Sequence, residues 1–556
     1  TAGSLAQTNS VLINSLGLRG KTTLPDRGEV FYNYNLQGAL TNQYGARTYP
    51  VSYSYTDQGQ MATLSTYQNG LSGSADITTW AYDSQRGWLS VKTYADNSTN
   101  AYEYFANGTL KKRTGARAIA TEYAYGADGS LTNVNYSDST PDVAFIQDRS
   151  GRSIQIADGI GTWTNVYAED GSLLSGTLPQ LVGGALEYGK DDIGRVTNSS
   201  LSIGGARVAG SLYGFDTAGR WSTAGDGTRT ATYSYGPDGA TWTNLSFGAA
   251  MNTRRTFDGL NRLASIVNNS PSGTTYSATY SLNQANQRTT NSLADGGQWR
   301  YTYNERGEVV SGNKYFADGT PVADMQYGYE FDTIGNRISG GRARPPDAPP
   351  SYTANNVNQY PEREVPGMVD VSGRAVTGAT VVVRFETNNA VLASRHGEYF
   401  WKTLDIINTA AIFYSSNIQI RAYMTSGTNS LVKTETRSTV LAQTPETFAH
   451  DLDGNLTCDG LWTNTWDANN RLISMESRTA VPDAIKERLT FQHDYMGRRT
   501  AKRVESGYTG GVYSITNTTT YAWDSWNIIA DVTSNSATGN STTNLYTRGL
   551  DMSGSL

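Results

Sequence analysis

A chain of 556 residues is long enough for two to four ordinary domains, yet its strand and turn punctuation runs almost from end to end, which favours one extended repetitive structure. Only 37% of it is hydrophobic, while Gly reaches 58 residues and Tyr 36, more than Phe and Trp together. That excludes a thick aliphatic core and an all-helical chain, because Tyr suits a pleated, half-buried surface.

The formal charge of −6, with no stripe of Lys or Arg, excludes a protein built to neutralise a phosphate backbone, so no nucleic-acid partner is expected. A single Cys458 excludes an intrachain disulfide, and no apolar stretch of membrane-spanning length occurs. The opening TAGSLAQTNS lacks the charged-then-apolar layout of a signal peptide, so a processed product or a piece of a longer chain is expected.

From residue 1 to 343 a pattern recurs at about twenty-residue spacing: alternating aromatics, an acidic or amide residue, two variable residues, Gly, then often Arg and an aliphatic. Early copies are Tyr53-Ser-Tyr55-Thr-Asp57-Gln-Gly59, Tyr82-Asp83 with Gly87 and Leu89, Tyr102-Glu-Tyr104 with Gly108, and Tyr123-Ala-Tyr125 with Asp128-Gly129. Later copies are Tyr213-Gly-Phe215-Asp216 with Gly219-Arg220, Tyr233-Ser-Tyr235 with Asp238-Gly239, Phe257-Asp258 with Asn261-Arg262, Tyr301-Thr-Tyr303 with Gly307, and Phe331-Asp332 with Gly335. Aromatics two apart share one face of a strand. The Asp can bond backbone amides ahead of it, and the Gly supplies the positive φ that reverses the chain. Each unit buries little alone and depends on its neighbours.

Residues 344–360 form a Pro-rich linker, with Pro345-Pro346 and Pro349-Pro350 predicting a stiff extended connector. Over 361–446 the repeat vanishes and alternating strands appear, such as Ala379-Thr-Val381-Val-Val383-Arg-Phe385 and Ile418-Gln-Ile420, which predict a small inserted β-sandwich. Its opening, Val371-Ser-Gly373-Arg-Ala375 followed by Ala379-Thr-Val381, is similar to the start of fibronectin-like or carboxypeptidase-regulatory-like sandwich modules. The repeats resume over 447–556, with Phe448-Ala-His450-Asp451-Leu-Asp453-Gly454, Trp466-Asp467 and His493-Asp494.

The segments YGFDTAGRW, YTYNERGEV, YEFDTIGNRI, HDLDGNL, WDANNRLISM and HDYMGRRTAKRV resemble the RHS/YD-repeat family over roughly four fifths of the chain. Tyr521-Ala-Trp523-Asp524 followed by Tyr546-Thr-Arg548-Gly549-Leu550-Asp551 resembles the start of the RHS-associated core. The resemblance implies an all-β fold, an antiparallel sheet spiralling into a barrel or hollow shell, as in bacterial toxin-complex shells, polymorphic toxins and teneurins. It also implies a secreted or cell-surface bacterial protein that encloses, displays or binds a polypeptide cargo or extracellular partner. In toxin-associated members an aspartate protease segment follows the core; the residues 551–556 stop short of it, so neither self-cleavage nor a cargo is assigned.

No catalytic residue is identified, and no cofactor or metal is expected. Asp451-Leu-Asp453-Gly454-Asn455 imitates half a calcium loop, but its Gly comes early and Trp462 stands at position twelve, so a turn is the better reading. Gly184 to Gly189-Lys190 has phosphate-loop spacing, but Asp191 replaces the Ser or Thr. His396, His450 and His493 are scattered, and the last two read as repeat variants. An alternative function, a polysaccharide lyase or hydrolase or a carbohydrate-binding adhesin on the Tyr-rich scaffold, would draw on His450 or His493 with a Tyr for proton transfer.

Overall fold

The computed structural model describes residues 7–239, 241–342, 349–426 and 429–550. Among them, thirty strands from Ser10–Ile13 to Arg337–Arg342 form one antiparallel sheet in which each strand pairs with the next in sequence. A nine-stranded meander of the same kind runs from Ala449–His450 to Ser541–Leu545.

One repeat shows why the sequence folds this way. The strand Ala206–Phe215 turns through Asp216 to Arg220 into the strand Trp221–Gly225. Asp216 N donates to Arg220 O at 2.8 Å and Gly219 N to Asp216 O at 2.9 Å. The Asp216 carboxylate then accepts the amides of Ala218 and Arg220, each at 2.9 Å, and the Arg220 Nε at 2.7 Å. Gly219 sits at φ +79°, where a side chain would be strained. Arg220 reaches onward: its Nη1 donates to Gly239 O in the next repeat turn at 2.7 Å, and its guanidinium lies 4.3 Å from the Tyr235 ring. Tyr235 in turn donates its hydroxyl back to Trp221 O at 2.7 Å, beside the register shift that follows the first turn. The circuit locks this hairpin to its successor.

The same circuit recurs at Asp148, Arg152 and Tyr167, and in part at Asp191, Arg195 and Phe215, where Phe lacks the hydroxyl. Where the repeat carries no Gly, Asn261, Asn286, Asn358 and Asn470 adopt the left-handed turn conformation, which Asn tolerates better than other side chains.

The wall is thin. The chain exposes 30009 Å², whereas a compact monomer of this length would expose roughly 19,000 Å². Hydrogen bonding does not close the long sheet into a barrel, since no pairing among the described strands joins its first strand to its last. Distant segments meet instead through turn contacts and side-chain packing. One core cluster joins Ile156, Trp163, Leu186 and Leu201 to Ala522 and Ala530 near the other end of the chain.

Between the two meanders, the described part of the expected linker differs from a plain connector. Tyr352–Thr353 pairs with Glu362–Arg363, and Asn355 to Gln359 forms another repeat turn, with Asn355 Oδ1 accepting the amides of Val357 and Gln359. The turn is legible in Asn-Asn-Val-Asn-Gln only once Asn is allowed in place of both Asp and Gly. Residues 344–348 of that linker lie outside the described residues. Glu362–Arg363 also pairs with Glu446–Thr447, so the intervening chain leaves and returns at one place. Its strands make a three-stranded and a four-stranded sheet that share one core, Val371, Phe400 and Leu404 from the first and Val381, Val383 and Ile418 from the second.

The turn ladder predicts acid sensitivity. Hydrogen bonds from Arg152, Arg220 and Arg262 hold the carboxyls of Asp148, Asp216 and Asp258 below the usual Asp value. Their contribution is complete above an unfolded-state pKa of about 4 and is lost as pH falls through the lower folded-state values. Thermal unfolding followed from neutral to strongly acid pH should show the midpoint falling below about pH 4. A midpoint that stays level there would contradict the ladder.

Candidate functional site

Distant parts of the chain meet along a line of turn-to-turn contacts, the seam between an earlier and a later pass. Repeat turns of the later pass dock on the plain turns of the earlier one. Gln68 Nε2 donates to Asn355 O at 2.6 Å, the Thr333 hydroxyl accepts the Gly70 amide at 2.8 Å, and Asn356 Nδ2 donates to Ala95 O at 2.9 Å. Farther along, Ala468 N donates to Thr140 Oγ1 and Tyr495 N to Asp158 Oδ2, both at 2.8 Å.

The centre of the seam is Arg117, in the plain turn after the strand Leu110–Thr114. Its Nε donates to Asp453 Oδ2 at 2.7 Å, and its other nitrogens reach Trp466 O at 3.2 Å, Asp467 O at 2.6 Å and Asn470 Oδ1 at 2.8 Å. Asp453 also accepts the Ala116 amide at 2.7 Å. One guanidinium therefore ties two repeat turns of the later pass, at Asp453 and at Trp466 to Asn470, to one turn of the earlier pass.

Sequence separation across the seam is informative. It is 261 residues for Asn356 with Ala95 and 336 for Arg117 with Asp453. The increase falls where the strands between Arg363 and Glu446 intervene, so the two passes keep their alignment across the interruption.

Beyond Arg117 the seam becomes apolar. Tyr495 sets its ring edge-on to Trp163 at 5.8 Å and to Phe145 at 6.3 Å. Tyr188 donates to Asp524 Oδ1 at 2.6 Å, and burial pushes both pKa values up.

The sequence-predicted positions fall as follows. Asp451 caps its own turn by accepting the amides of Asp453 and Asn455 at 3.0 and 2.9 Å, and Asp453 is taken by the seam. Among the described residues no cluster of three or more His, Cys, Asp or Glu is placed to hold a metal ion. Gly184 to Lys190 enters the strand Ala185–Lys190 rather than a helix. His450 ends a short strand, and burial lowers its pKa against the pull of Asp451. His493 borders a 170 Å³ seam cavity with Thr140, Pro141, Trp466 and Phe491. Its pKa is lowered by burial first and by Arg471 next, and its Nδ1 is buried without a hydrogen-bond partner. His396 lies in the intervening strands, beside a different cavity. Cys458 is half-buried and free. Residues 551–556 lie outside the described residues, and no described helix is long and apolar enough to cross a membrane.

The turn Asp and Gly were readable from sequence; the seam was not. The Arg four residues after several of the turn Asp residues was visible in the pattern without its bridging role; Arg117 and Thr140 sit in turns with no repeat signature, and Asp158 opens an Asp-x-x-Gly turn that no alternating aromatics precede.

No family model matches the chain, and no curated protein does. Among solved structures, the chain aligns over 96% of its length with 29% of a chain in the crystal structure of TcdB2-TccC3-Cdc42, at 12% identity and a TM-score of 0.52. It shares the fold of that part of the chain. A Tc holotoxin pore of Photorhabdus luminescens aligns over 95% of this chain and 27% of that one, at 12% identity and a TM-score of 0.49. The chain thus spans about three tenths of the chains it matches. At the level of fold, the resemblance of the Tyr-x-Tyr and Asp-x-x-Gly copies to YD-repeat proteins is borne out.

Arg117→Ala should remove the central seam contact and leave the Asp453 carboxylate, 7% exposed, with a backbone amide as its remaining cross-seam donor. The expected cost is about 3 kcal/mol, with Arg117→Lys recovering only part because an ammonium cannot match the guanidinium fork. Chemical denaturation together with hydrogen exchange at residues 115–119 and 451–471 measures it. Unchanged stability and exchange would remove Arg117 from its central role.

Proposed function

We propose that the chain is a stretch of wall from an RHS/YD-repeat shell, part of a secreted or cell-surface protein that encloses, displays or binds a partner, an enclosed polypeptide foremost. The observation that carries this reading is the seam: a thin sheet whose later pass is bonded edge to edge onto its earlier pass is the construction a container needs and a solid globule does not. The large exposed area and the small scattered cores support it, as does the fold shared with part of a chain in the TcdB2-TccC3-Cdc42 structure. Within this reading the strands of 361–446 are a fibronectin-like β-sandwich inserted in the wall as a contact module, supported by their shared core and by the pairing of Arg363 with Glu446.

Small-angle scattering with a density map tests the proposal. A filled globule of this length would have a radius of gyration of about 24 Å. A clearly larger value with a solvent-filled interior is expected; about 24 Å with a filled interior would reject the container reading.

A further inference from the structure

A cavity of 640 Å³ opens between the repeat sheet and the intervening strands, away from the seam. Its first wall is the hairpin of Val309–Tyr315 and Pro321–Phe331, whose turn runs from Phe316 to Thr320. Its second wall is the strand end at Arg374 with the turn from His396 through Glu398 to Tyr399.

The walls are fixed to each other. Asp324 on the hairpin accepts the Ser372 hydroxyl at 2.6 Å and the Tyr399 hydroxyl as well, and Arg342 pairs with Asp370. At the rim the His396 ring stacks on Phe316 at 4.1 Å, and its Nε2 lies 3.3 Å from the Asp318 carboxylate. Tyr399 meets Phe316 edge-on at 5.5 Å. The cavity is therefore preformed by contacts from both sides, in the size range of small-ligand sites and at the kind of junction where such sites concentrate.

Its chemistry narrows the ligand. Phe316, Tyr315 and Tyr399 supply rings, and Val322 and Met325 extend the apolar surface. Asp295, Asp318 and Glu398 supply acceptors, against which Lys314 and Arg374 supply donors. Acidic and basic groups nearly balance, so a strongly charged ligand of either sign would meet like charge. A ligand whose groups both donate and accept would use the two kinds of lining together. A pyranose ring has that property at its hydroxyls and an apolar C–H face for an aromatic ring.

We propose that this cavity binds a short neutral oligosaccharide, with Phe316 and Tyr399 as its aromatic surface and Asp318, Glu398 and Arg374 bonding the hydroxyls. The proposal does not depend on the shell reading, because both walls are local.

The test is saturation-transfer NMR and calorimetry of the full chain with neutral disaccharides and trisaccharides, beside acidic oligosaccharides and short peptides. Binding of at least one neutral sugar is expected. Phe316→Leu, which keeps apolar volume and removes the ring, should weaken it about tenfold. Asp318→Asn and Arg374→Gln should each weaken it as well, with the unfolding midpoint showing that the variants remain folded. Three results would overturn the proposal: no neutral sugar binding at millimolar concentration, preference for acidic sugars or peptides, or neutral-sugar affinity unmoved by all three substitutions.

Discussion

The structure depends on one interaction, the grip of a turn aspartate on the arginine four residues after it. In the Asp216 turn the carboxylate holds two backbone amides and the Arg220 Nε together, which orients the rest of the guanidinium outward to the next turn. Without that orientation the Arg is a mobile surface cation; with it, the Arg is a strut with a fixed direction. The tyrosine hydroxyl that answers it, from Tyr235 to Trp221 O, satisfies a carbonyl at a register shift, a place where the ladder alone leaves a polar group in need of a partner. A sheet with so little apolar depth holds its shape through many such polar ties, each modest, arranged in series.

The same residues behave differently where the passes meet. Along the ladder the ties run to the adjacent repeat and are encoded within some twenty residues of chain. At the seam they run between residues whose sequence separation reaches 353, and partial burial makes them count for more: Asp453 and Asp467 are enclosed there, whereas Asp216 is wetter. The aromatic packing of Tyr495 on Trp163 and Phe145 completes that contrast, since the wall thickens into a true core where a second layer arrives.

How much was legible follows from this division. Tyr-x-Tyr spacing and Asp-x-x-Gly turns are local instructions, and they yielded the strand order and the meander. The copy at Asn355 to Gln359 was hidden because Asn there does the work of both Asp and Gly. Arg117 was illegible for a different reason: its partners are chosen by how far the sheet travels before it returns, a property of accumulated twist that no short window records. The junction cavity shares that obscurity, because Phe316 and His396 come from opposite sides of the Pro-rich stretch and meet only in three dimensions.

The antiparallel pairing of Arg363 with Glu446 has a wider consequence. Where entry and exit strands lie side by side, they are about 5 Å apart, the same gap that an ordinary hairpin tip spans. The wall thus registers only the doorway and not the size of the room behind it. A sheet built on that rule can exchange one appended unit for another, or lose it, while every later strand keeps its place, which makes the hairpin tips natural sites for acquiring new surface properties.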